Sequence, residues 1–183
     1  MKIYLGTAAA VLFLLCGCLW SPYRETVYYD IMPADSVPEQ SNVYQVTDFR
    51  NCSGAGSRFQ YKNADGQVVS DPDCKWLMQP GALVARAIRL SLTAPSKTTG
   101  ITVKNADAVK QFYVRGELLT FETDLEKMEF VLHAKIRVVS PGAKEHLLDC
   151  SSRIPLQDIE PGTISRAAGI AVSEIVNQLK KVR

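Results

Sequence analysis

The sequence predicts an α+β fold in which an antiparallel sheet carries two helices packed on one face. A mixed sheet, with some parallel strands, is the alternative. Residues 130–138 alternate apolar and polar side chains almost without error, which is typical of an antiparallel strand with one solvated face. Residues 83–94 and 164–182 instead place apolar side chains at three- and four-residue steps, the spacing of amphipathic helices. Two such helices covering one sheet face give a two-layer sandwich.

Short strands are predicted in the first half of the chain. Residues 26–31 and 43–49 are rich in strand-forming side chains, and the prolines between them interrupt the pattern. The turn Asn63-Ala64-Asp65-Gly66 predicts a hairpin over residues 58–70. Pro80-Gly81 then marks the start of the first helix.

A strand meander and a closing helix are predicted in the second half. After a brief strand over residues 100–103, the strand at residues 112–118 changes its apolar phase, which predicts a bulge near residues 116–119. The strand over residues 130–138 follows, and residues 146–154 form the third strand of the meander. Thr163 is predicted to cap the closing helix.

The N-terminus has the pattern of a lipoprotein export signal. Lys2 precedes an apolar run over residues 3–15, which is shorter than the roughly 20 residues of a spanning helix. The segment Leu15-Cys16-Gly17-Cys18 has the form of a lipobox, in which a small Gly17 precedes the lipidated cysteine. Cys18 is therefore the predicted lipidation site, carrying fatty acyl chains such as palmitate. Cys16 is the weaker candidate because it follows the bulky Leu15, and an uncleaved anchor helix is the open alternative.

The predicted signal divides the chain into three parts. Residues 1–17 are the predicted signal peptide, residues 18–40 the lipidated N-terminus with a tether and first strand, and residues 41–183 a single domain. Removal of residues 1–17 leaves 166 of the 183 residues, which is enough for one core. Leu19 is not the Asp that retains many lipoproteins in the inner membrane, so the predicted location is the outer membrane, facing the periplasm.

Net charge and cysteine content narrow the function further. Residues 1–17 contain one charged side chain, that of Lys2, so the remaining chain has 20 Lys and Arg residues and 19 Asp and Glu residues. This near-neutral balance argues against a nucleic-acid partner. In an oxidising periplasm a disulfide can form, and Cys52 and Cys74 flank the predicted hairpin. A Cys52–Cys74 disulfide is the prediction, with the geometry left open. Cys150 is predicted to be a buried thiol, because it lies on the apolar side of its strand.

The sequence offers no recognisable catalytic or metal-binding motif. It lacks His-Glu-x-x-His, Gly-x-Ser-x-Gly, Ser-x-x-Lys, Cys-x-x-Cys and a complete phosphate loop. His133 and His146 have no evident partners and are predicted to have solvent-exposed structural roles. Acidic pairs such as Asp71 and Asp73 are assigned to solvated loops. The prediction is a non-enzymatic protein without catalytic residues, metal or cofactor.

Aromatic side chains concentrate in and around the first half of the sheet. Most are predicted to lie in the core, because aromatic residues dominate buried area. The alternative is a sheet edge or cleft that receives a partner strand, an acyl chain or a neighbouring subunit. The residues concerned are Tyr28, Tyr29, Phe59, Tyr61, Trp76, Phe112 and Tyr113.

The order of these elements resembles a known family. The lipobox is followed by Tyr28-Tyr29-Asp30-Ile31, the strand over residues 43–49 and the hairpin strand Arg58-Phe59-Gln60-Tyr61. Next come Trp76-Leu77-Met78-Gln79-Pro80, Val114-Arg115-Gly116-Glu117-Leu118-x-x-Phe121 and an Ala-rich closing helix. This order is similar to that of the auxiliary lipoproteins of ABC-type intermembrane transport systems, the PqiC-like family. The resemblance covers nearly all of the mature chain, although its motifs are diffuse.

The resemblance implies a non-enzymatic component of a lipid-trafficking machine. Its partners would be transport components with mammalian-cell-entry domains, and the chain would be able to assemble as a homo-oligomeric ring. Cys52 and Cys74 have no counterpart in the family pattern. Two other classes stay open: a docking lipoprotein of another envelope machine, such as lipopolysaccharide assembly or cell-wall synthase activation, and an envelope hydrolase.

Overall fold

The computed structural model describes residues 24–31, 42–92 and 110–182. The predicted signal peptide, Cys18 and the predicted strand over residues 100–103 lie outside these residues. The two helices are α1 (Pro80–Leu92) and α2 (Pro161–Leu179). The strands are β1 (Val27–Tyr29), β2 (Val43–Val46), β3 (Arg50–Asn51), β4 (Arg58–Lys62), β5 (Val68–Trp76), β6 (Gln111–Asp124), β7 (Glu129–Val139) and β8 (Glu145–Pro155).

The fold is α+β, as the sequence predicts, and the sheet is mixed. Its main path runs β1-β5-β4-β6-β7-β8, and β2 and β3 also pair with β6. One edge of β6 pairs with β7 in antiparallel orientation, while its other edge receives β2, β3 and β4 in succession, all parallel to it. The chain between β2 and β4 therefore runs along β6 in the same direction, which places three short strands end to end.

The meander β6-β7-β8 is regular and contains the predicted bulge. The β6–β7 register shifts between Leu118 and Thr120, where Leu118 lies opposite Ala134 and Thr120 lies opposite His133. Leu119 is the extra residue, so the apolar face of β6 is kept on one side of the sheet. The β7–β8 ladder runs without a register shift from Glu129–Pro155 to Val139–Glu145.

The predicted hairpin is present, but its second strand is longer than the sequence pattern indicates. Asn63 donates its backbone N–H to Gln67 O at 2.8 Å, and Gly66 adopts a φ of +81° in the turn. Beyond Ser70 the strand continues through a bulge of residues 71–74 and ends at Trp76. Asp71 and Asp73 thus lie within β5, and their assignment to a solvated loop was wrong.

Two predicted element boundaries were also wrong. The strand expected over residues 43–49 ends at Val46, because Phe49 turns its side chain into the core against Gly116 while its backbone carbonyl lies against Gly81. Helix α2 begins at Pro161 with Glu160 as its N-cap, so Thr163 lies inside the first turn. Proline suits the first helical position since its fixed φ matches the helix and no N–H is lost.

Both helices cover the same face of the sheet. Helix α1 packs against β2, β3 and β6, and α2 packs against β7, β8 and β1, with the two helices also in contact. Arg86 of α1 forms an ion pair with Asp30, and the Ser165 hydroxyl of α2 donates to the Asp30 carbonyl at 2.5 Å. Asp30, directly after β1, therefore joins the sheet edge to both helices.

A chain of aromatic rings fills one half of the core. Ring centroids lie 5.3 Å apart for Tyr29–Phe59, 4.1 Å for Phe59–Trp76, and 5.1 Å for both Trp76–Phe121 and Phe121–Phe130. The core interpretation of the early aromatic residues is confirmed for Phe59, Trp76 and Phe112, which are buried. It does not hold for Tyr28 and Tyr113, which are exposed.

Candidate functional site

The sheet face opposite the helices is the candidate site, because no described element covers it. We define the open face as the outward side chains of the meander β6-β7-β8. Strand alternation puts every second side chain there, since neighbouring residues point to opposite faces. Its members are Tyr113, Arg115, Glu117, Thr120, Glu122, Val131, His133, Lys135, Arg137, Val139, Glu145, Leu147, Asp149, Ser151 and Arg153.

Ion pairs cross the open face between adjacent strands. Arg137 Nε lies 2.6 Å from Glu145 Oε1, and Arg153 Nη1 lies 3.4 Å from Glu129 Oε2. Arg50 of β3 reaches Glu117 Oε1 at 3.7 Å. All of these groups are partly or largely exposed to water, so each pair contributes only about 0–1 kcal/mol to stability. The pairs order the side chains and give the face a mixed charge.

An open groove of about 670 Å³ lies across this face. One row of its lining consists of Arg115, Arg137 and Leu147, which are direct neighbours across the three strands. Two arginines directly opposite each other in a sheet are unfavourable without an anion nearby. Leu147, beside them, is 74% exposed, which is high for a large apolar side chain. The row therefore combines cationic and apolar surface suited to contact with another molecule.

His133 is the one described histidine with an acidic partner. Its Nε2 lies 2.6 Å from Asp149 Oδ1, and Ser151 lies directly opposite His133 in the β7–β8 register. Among the described residues no hydrogen bond joins His133 to Ser151, and the group lies on a flat, solvated surface. A Ser-His-Asp triad needs the base bonded to the nucleophile and donors for an oxyanion. The arrangement fits a structural hydrogen bond better than a catalytic group.

His146 does not have the solvent-exposed role that the sequence predicts. Its side chain lies on the helix side of β8, where its Nε2 atom is buried. The Tyr44 hydroxyl is buried as well, on a ring that stacks on Phe112 at 5.1 Å. Within residues 24–31, 42–92 and 110–182, neither polar atom has a hydrogen-bond partner.

The predicted site cysteines occupy three different environments. Cys52 is exposed directly after β3, and its backbone N–H donates to Leu118 O at 2.8 Å. Cys74 is half-buried in β5 and Cys150 is buried in β8, as predicted for the latter. All three are free thiols in the structure, so the Cys52–Cys74 disulfide stays a prediction. Cys18 lies outside the described residues, and its lipidation likewise stays a prediction.

A polar cluster in the β5 bulge was missed by the sequence analysis. Asp71 Oδ1 accepts the backbone N–H groups of Asp73 at 2.7 Å and Cys74 at 2.8 Å, and Asp71 Oδ2 accepts the Tyr61 hydroxyl at 3.0 Å. Burial alone would raise the pKa of Asp71, but these hydrogen bonds hold it below the ordinary value. Burial raises the pKa of the Cys74 thiol, and the neighbouring Asp71 carboxylate raises it further. The cluster stabilises the bulge and does not activate the thiol.

The described residues offer few other sites for chemistry. They contain no group of His, Cys, Asp and Glu side chains arranged to hold a metal ion. None of the helices among them combines the length and apolar character that crossing a membrane requires. The open face is therefore the most distinctive functional surface of the described part.

Two solved structures share this fold. An uncharacterized protein superimposes with a TM-score of 0.63 at 12% identity, over 88% of this chain and all (100%) of its own. Protein XCC0632 from Xanthomonas campestris, of the family model DUF330, has a TM-score of 0.58 at 10% identity, over 84% of this chain and 92% of its own. At such low identity the similarity establishes the fold alone. No family model and no curated protein matches the sequence.

Proposed function

We propose that the protein is a membrane-anchored periplasmic lipoprotein and a non-enzymatic auxiliary component of an ABC-type intermembrane lipid transport system. Lipid on Cys18 attaches it to the membrane, and the tether carries the folded domain away from the bilayer. The open face then docks a transport component that carries mammalian-cell-entry domains. The sequence resemblance supports the choice of transport system, and the geometry of the open face supports its choice as the docking surface.

The sheet face that no described element covers is the observation that carries this proposal. A sheet in an isolated domain needs cover on one side only, and α1 and α2 supply it here. The other side presents arginine, tyrosine and leucine side chains in a mixed-charge surround. Arginine and aromatic residues are enriched in protein interfaces, and non-obligate interfaces are about as polar as ordinary surface. The face has the composition of a reversible docking surface.

Site-specific photo-crosslinking in intact envelopes tests the proposal. A photoreactive amino acid replaces Tyr113, which is 46% exposed on the open face. The matched control replaces Ile170, which is 47% exposed on helix α2. Both variants are expressed as full-length lipidated chains, and the adducts are identified by mass spectrometry.

Capture of a transport component from position 113, and not from position 170, is the expected result. Capture of cell-wall synthases or lipopolysaccharide-assembly proteins from position 113 would replace the transport system with that machine. Equal capture from both positions, or none from position 113, would remove the open face as the docking surface.

A histidine replacement separates docking from hydrolysis. We expect a chain with His133→Gln and His146→Gln to retain its function in the envelope, because docking needs no general base. The soluble fold of each variant is checked by circular dichroism. Loss of function in a folded variant that still gives the crosslink from position 113 would support the hydrolase alternative.

A further inference from the structure

Among the described strands, β8 ends the sheet, and none of them pairs with its outer edge. It pairs with β7 along 11 residues without a register shift, and no other described strand pairs with it. Natural proteins usually protect such edges with bulges, inward charges or a covering loop, because an open edge pairs with another strand. In β8 only Pro155, at the C-terminal end, lacks a backbone N–H.

The register of β8 fixes which backbone groups face outward. At both ends of the β7–β8 ladder the hydrogen bonds join even-numbered residues, from Ser140 N to Lys144 O and from Leu156 N to Met128 O. Hydrogen-bonded pairs alternate along an antiparallel ladder, so the even-numbered residues of β8 bond to β7 throughout. The odd-numbered residues therefore direct their N–H and C=O groups to the free edge, and their side chains lie on the open face.

We propose that this edge binds β8 of a second copy of the chain in antiparallel orientation, with Ser151 on the two-fold axis. Asp149 of one protomer then lies opposite Arg153 of its partner, and the same pair recurs on the other side of the axis. On the helix side Leu148 lies opposite Ile154. Isologous pairing of this kind closes a dimer and joins the two sheets into one, so it differs from the homo-oligomeric ring that the resemblance implies, which needs head-to-tail contacts.

Charge complementarity selects this register over its neighbours. An axis at Asp149 would place two Asp149 carboxylates opposite each other, and an axis at Leu147 would place Glu145 opposite Asp149. An axis at Cys150 would leave Asp149 facing Ser151 and Arg153 facing Leu147. Opposite charges directly across strands stabilise a sheet and like charges destabilise it. Of these axes, only the one at Ser151 pairs both Asp149 and Arg153 with opposite charges, and Glu145 lies beyond the shared ladder of residues 147–155.

The number of hydrogen bonds also suits this register. The pairs centred on Ser151 and the two Asp149–Arg153 pairs form two backbone bonds each, and each Leu147–Pro155 pair forms one, about eight in total. Pro155 thus lies at the end of the shared ladder, where its missing N–H removes one hydrogen bond from each end and interrupts no further pairs. The existing contacts from His133 to Asp149 and from Glu129 to Arg153 lie on the same face and extend the charge network across the axis.

Disulfide trapping tests the register. Ser151→Cys is introduced into the full-length lipidated chain with Cys52→Ser, which removes the exposed native thiol of the described residues. At the axis the two new cysteines have Cα atoms about 5.5 Å apart, within the range that a disulfide spans. The matched control is Leu147→Cys on the same strand and face, which keeps Asp149 and Arg153 and whose two copies lie about 27 Å apart along the strand.

We expect mild oxidation of membranes to give a dimer with Ser151→Cys, at least tenfold more than with Leu147→Cys. A folded Ser151→Cys protein that stays monomeric would overturn the proposal, as would equal cross-linking at both positions. The proposal rests on β8 alone and not on the proposed function. Failure of the cross-link would leave partner capture from position 113 unaffected.

A charge-reversal cycle gives an independent measurement. Sedimentation of the detergent-solubilised full chain should show the dimer dissociation constant rise about tenfold with Asp149→Arg or with Arg153→Asp. The double variant restores opposite charges across the axis and should recover most of that loss. A double variant as weak as the single variants would contradict the proposed register.

Discussion

The ring of Phe49 lies directly against the Cα atom of Gly116. A Cβ atom built on Gly116 would lie 2.5 Å from Phe49 Cε2 and 2.6 Å from Cδ2, closer than real Cβ atoms approach. The backbone carbonyl of Phe49 is in turn packed against Gly81, at the start of α1. Phe49 therefore joins the first helix to the central strand β6, and both neighbours must be glycine.

Gly116→Ala should destabilise the protein. Alanine is usually better than glycine in a strand by about 0.5–1 kcal/mol, but here its methyl group overlaps the Phe49 ring. Overpacking of this kind costs about 1–3 kcal/mol, so a net loss is expected. The free energy of unfolding from urea titration measures the effect.

Gly56→Ala is the control for that measurement. A Cβ atom on Gly56 meets no atom within 4 Å, and its backbone φ lies outside the left-handed region. A change within about 0.5 kcal/mol is expected for such a site. If Gly116→Ala were as stable as Gly56→Ala, the Phe49–Gly116 contact would not be a close one in solution.

The three described thiols should react at different rates with an alkylating reagent. Cys52 is exposed, whereas burial raises the pKa of Cys74, and burial with the nearby Asp149 carboxylate raises the pKa of Cys150 to about 11. The thiolate is the reactive form, so a raised pKa and a buried sulfur both slow the reaction. The expected order is Cys52, then Cys74, then Cys150.

Peptide mapping after timed alkylation checks this order, with and without prior reduction. A Cys52–Cys74 disulfide in the purified envelope protein would block both thiols until reduction and would leave Cys150 unchanged. That outcome would support the predicted disulfide. Fast alkylation of Cys150 in the folded protein would contradict its burial against Gln178, which accepts the thiol hydrogen bond at 3.2 Å.

Asp71 should make the protein sensitive to acid. Its folded-state pKa is depressed, so its contribution to stability is fully present above the ordinary carboxyl value and is lost as the pH falls through the folded value. Asp71→Asn keeps an oxygen for the N–H groups of Asp73 and Cys74 but does not titrate. As the pH falls from 5 past the ordinary carboxyl pKa of ~3.9 and through the lower folded value, the melting temperature of this variant should therefore fall less than that of the wild type.

Tyr61→Phe provides the complementary change. It removes the hydroxyl that donates to Asp71 Oδ2, so the folded-state pKa of Asp71 should rise and acid unfolding should begin at a higher pH. Thermal melts monitored by circular dichroism across the same pH range compare the three proteins. Identical pH profiles would exclude a role for the Asp71 cluster in acid stability.

The sequence correctly predicts the elements in which apolar residues recur with a single strand or helix period along the whole element. In α2 the buried positions follow the helix period, and in β7 all of them except Val131 follow the strand period; in β6 the phase change at Leu119 indicates the bulge. The errors arise where tertiary contact overrides local pattern. Phe49 ends a strand by packing on Gly116, a residue distant in sequence, and Asp71 lies in a bulge that depends on a contact with Tyr61.

The candidate site was only partly accessible from the sequence. The alternation of β6, β7 and β8 identifies which side chains share the open face, but not that the helices leave this face bare. Likewise, the pairing of His133 with Asp149 depends on the β7–β8 register, which no single strand pattern specifies. Residue periodicity defines the faces of elements, whereas the neighbours of each face follow from chain topology.

Cys18→Ser should abolish membrane attachment of the chain. The thiol of Cys18 is the predicted acceptor of the diacylglyceryl group, and serine cannot form the thioether, so the chain would lose the acyl chains that hold it. Fractionation of envelopes and mass spectrometry of the N-terminal peptide measure the effect.

The matched control is Cys16→Ser, two residues earlier, which should remain lipidated and membrane-bound because it lies within the predicted signal peptide. Normal membrane retention of Cys18→Ser, together with loss in Cys16→Ser, would move the lipidation site to Cys16. Retention of both variants would instead favour an uncleaved anchor helix.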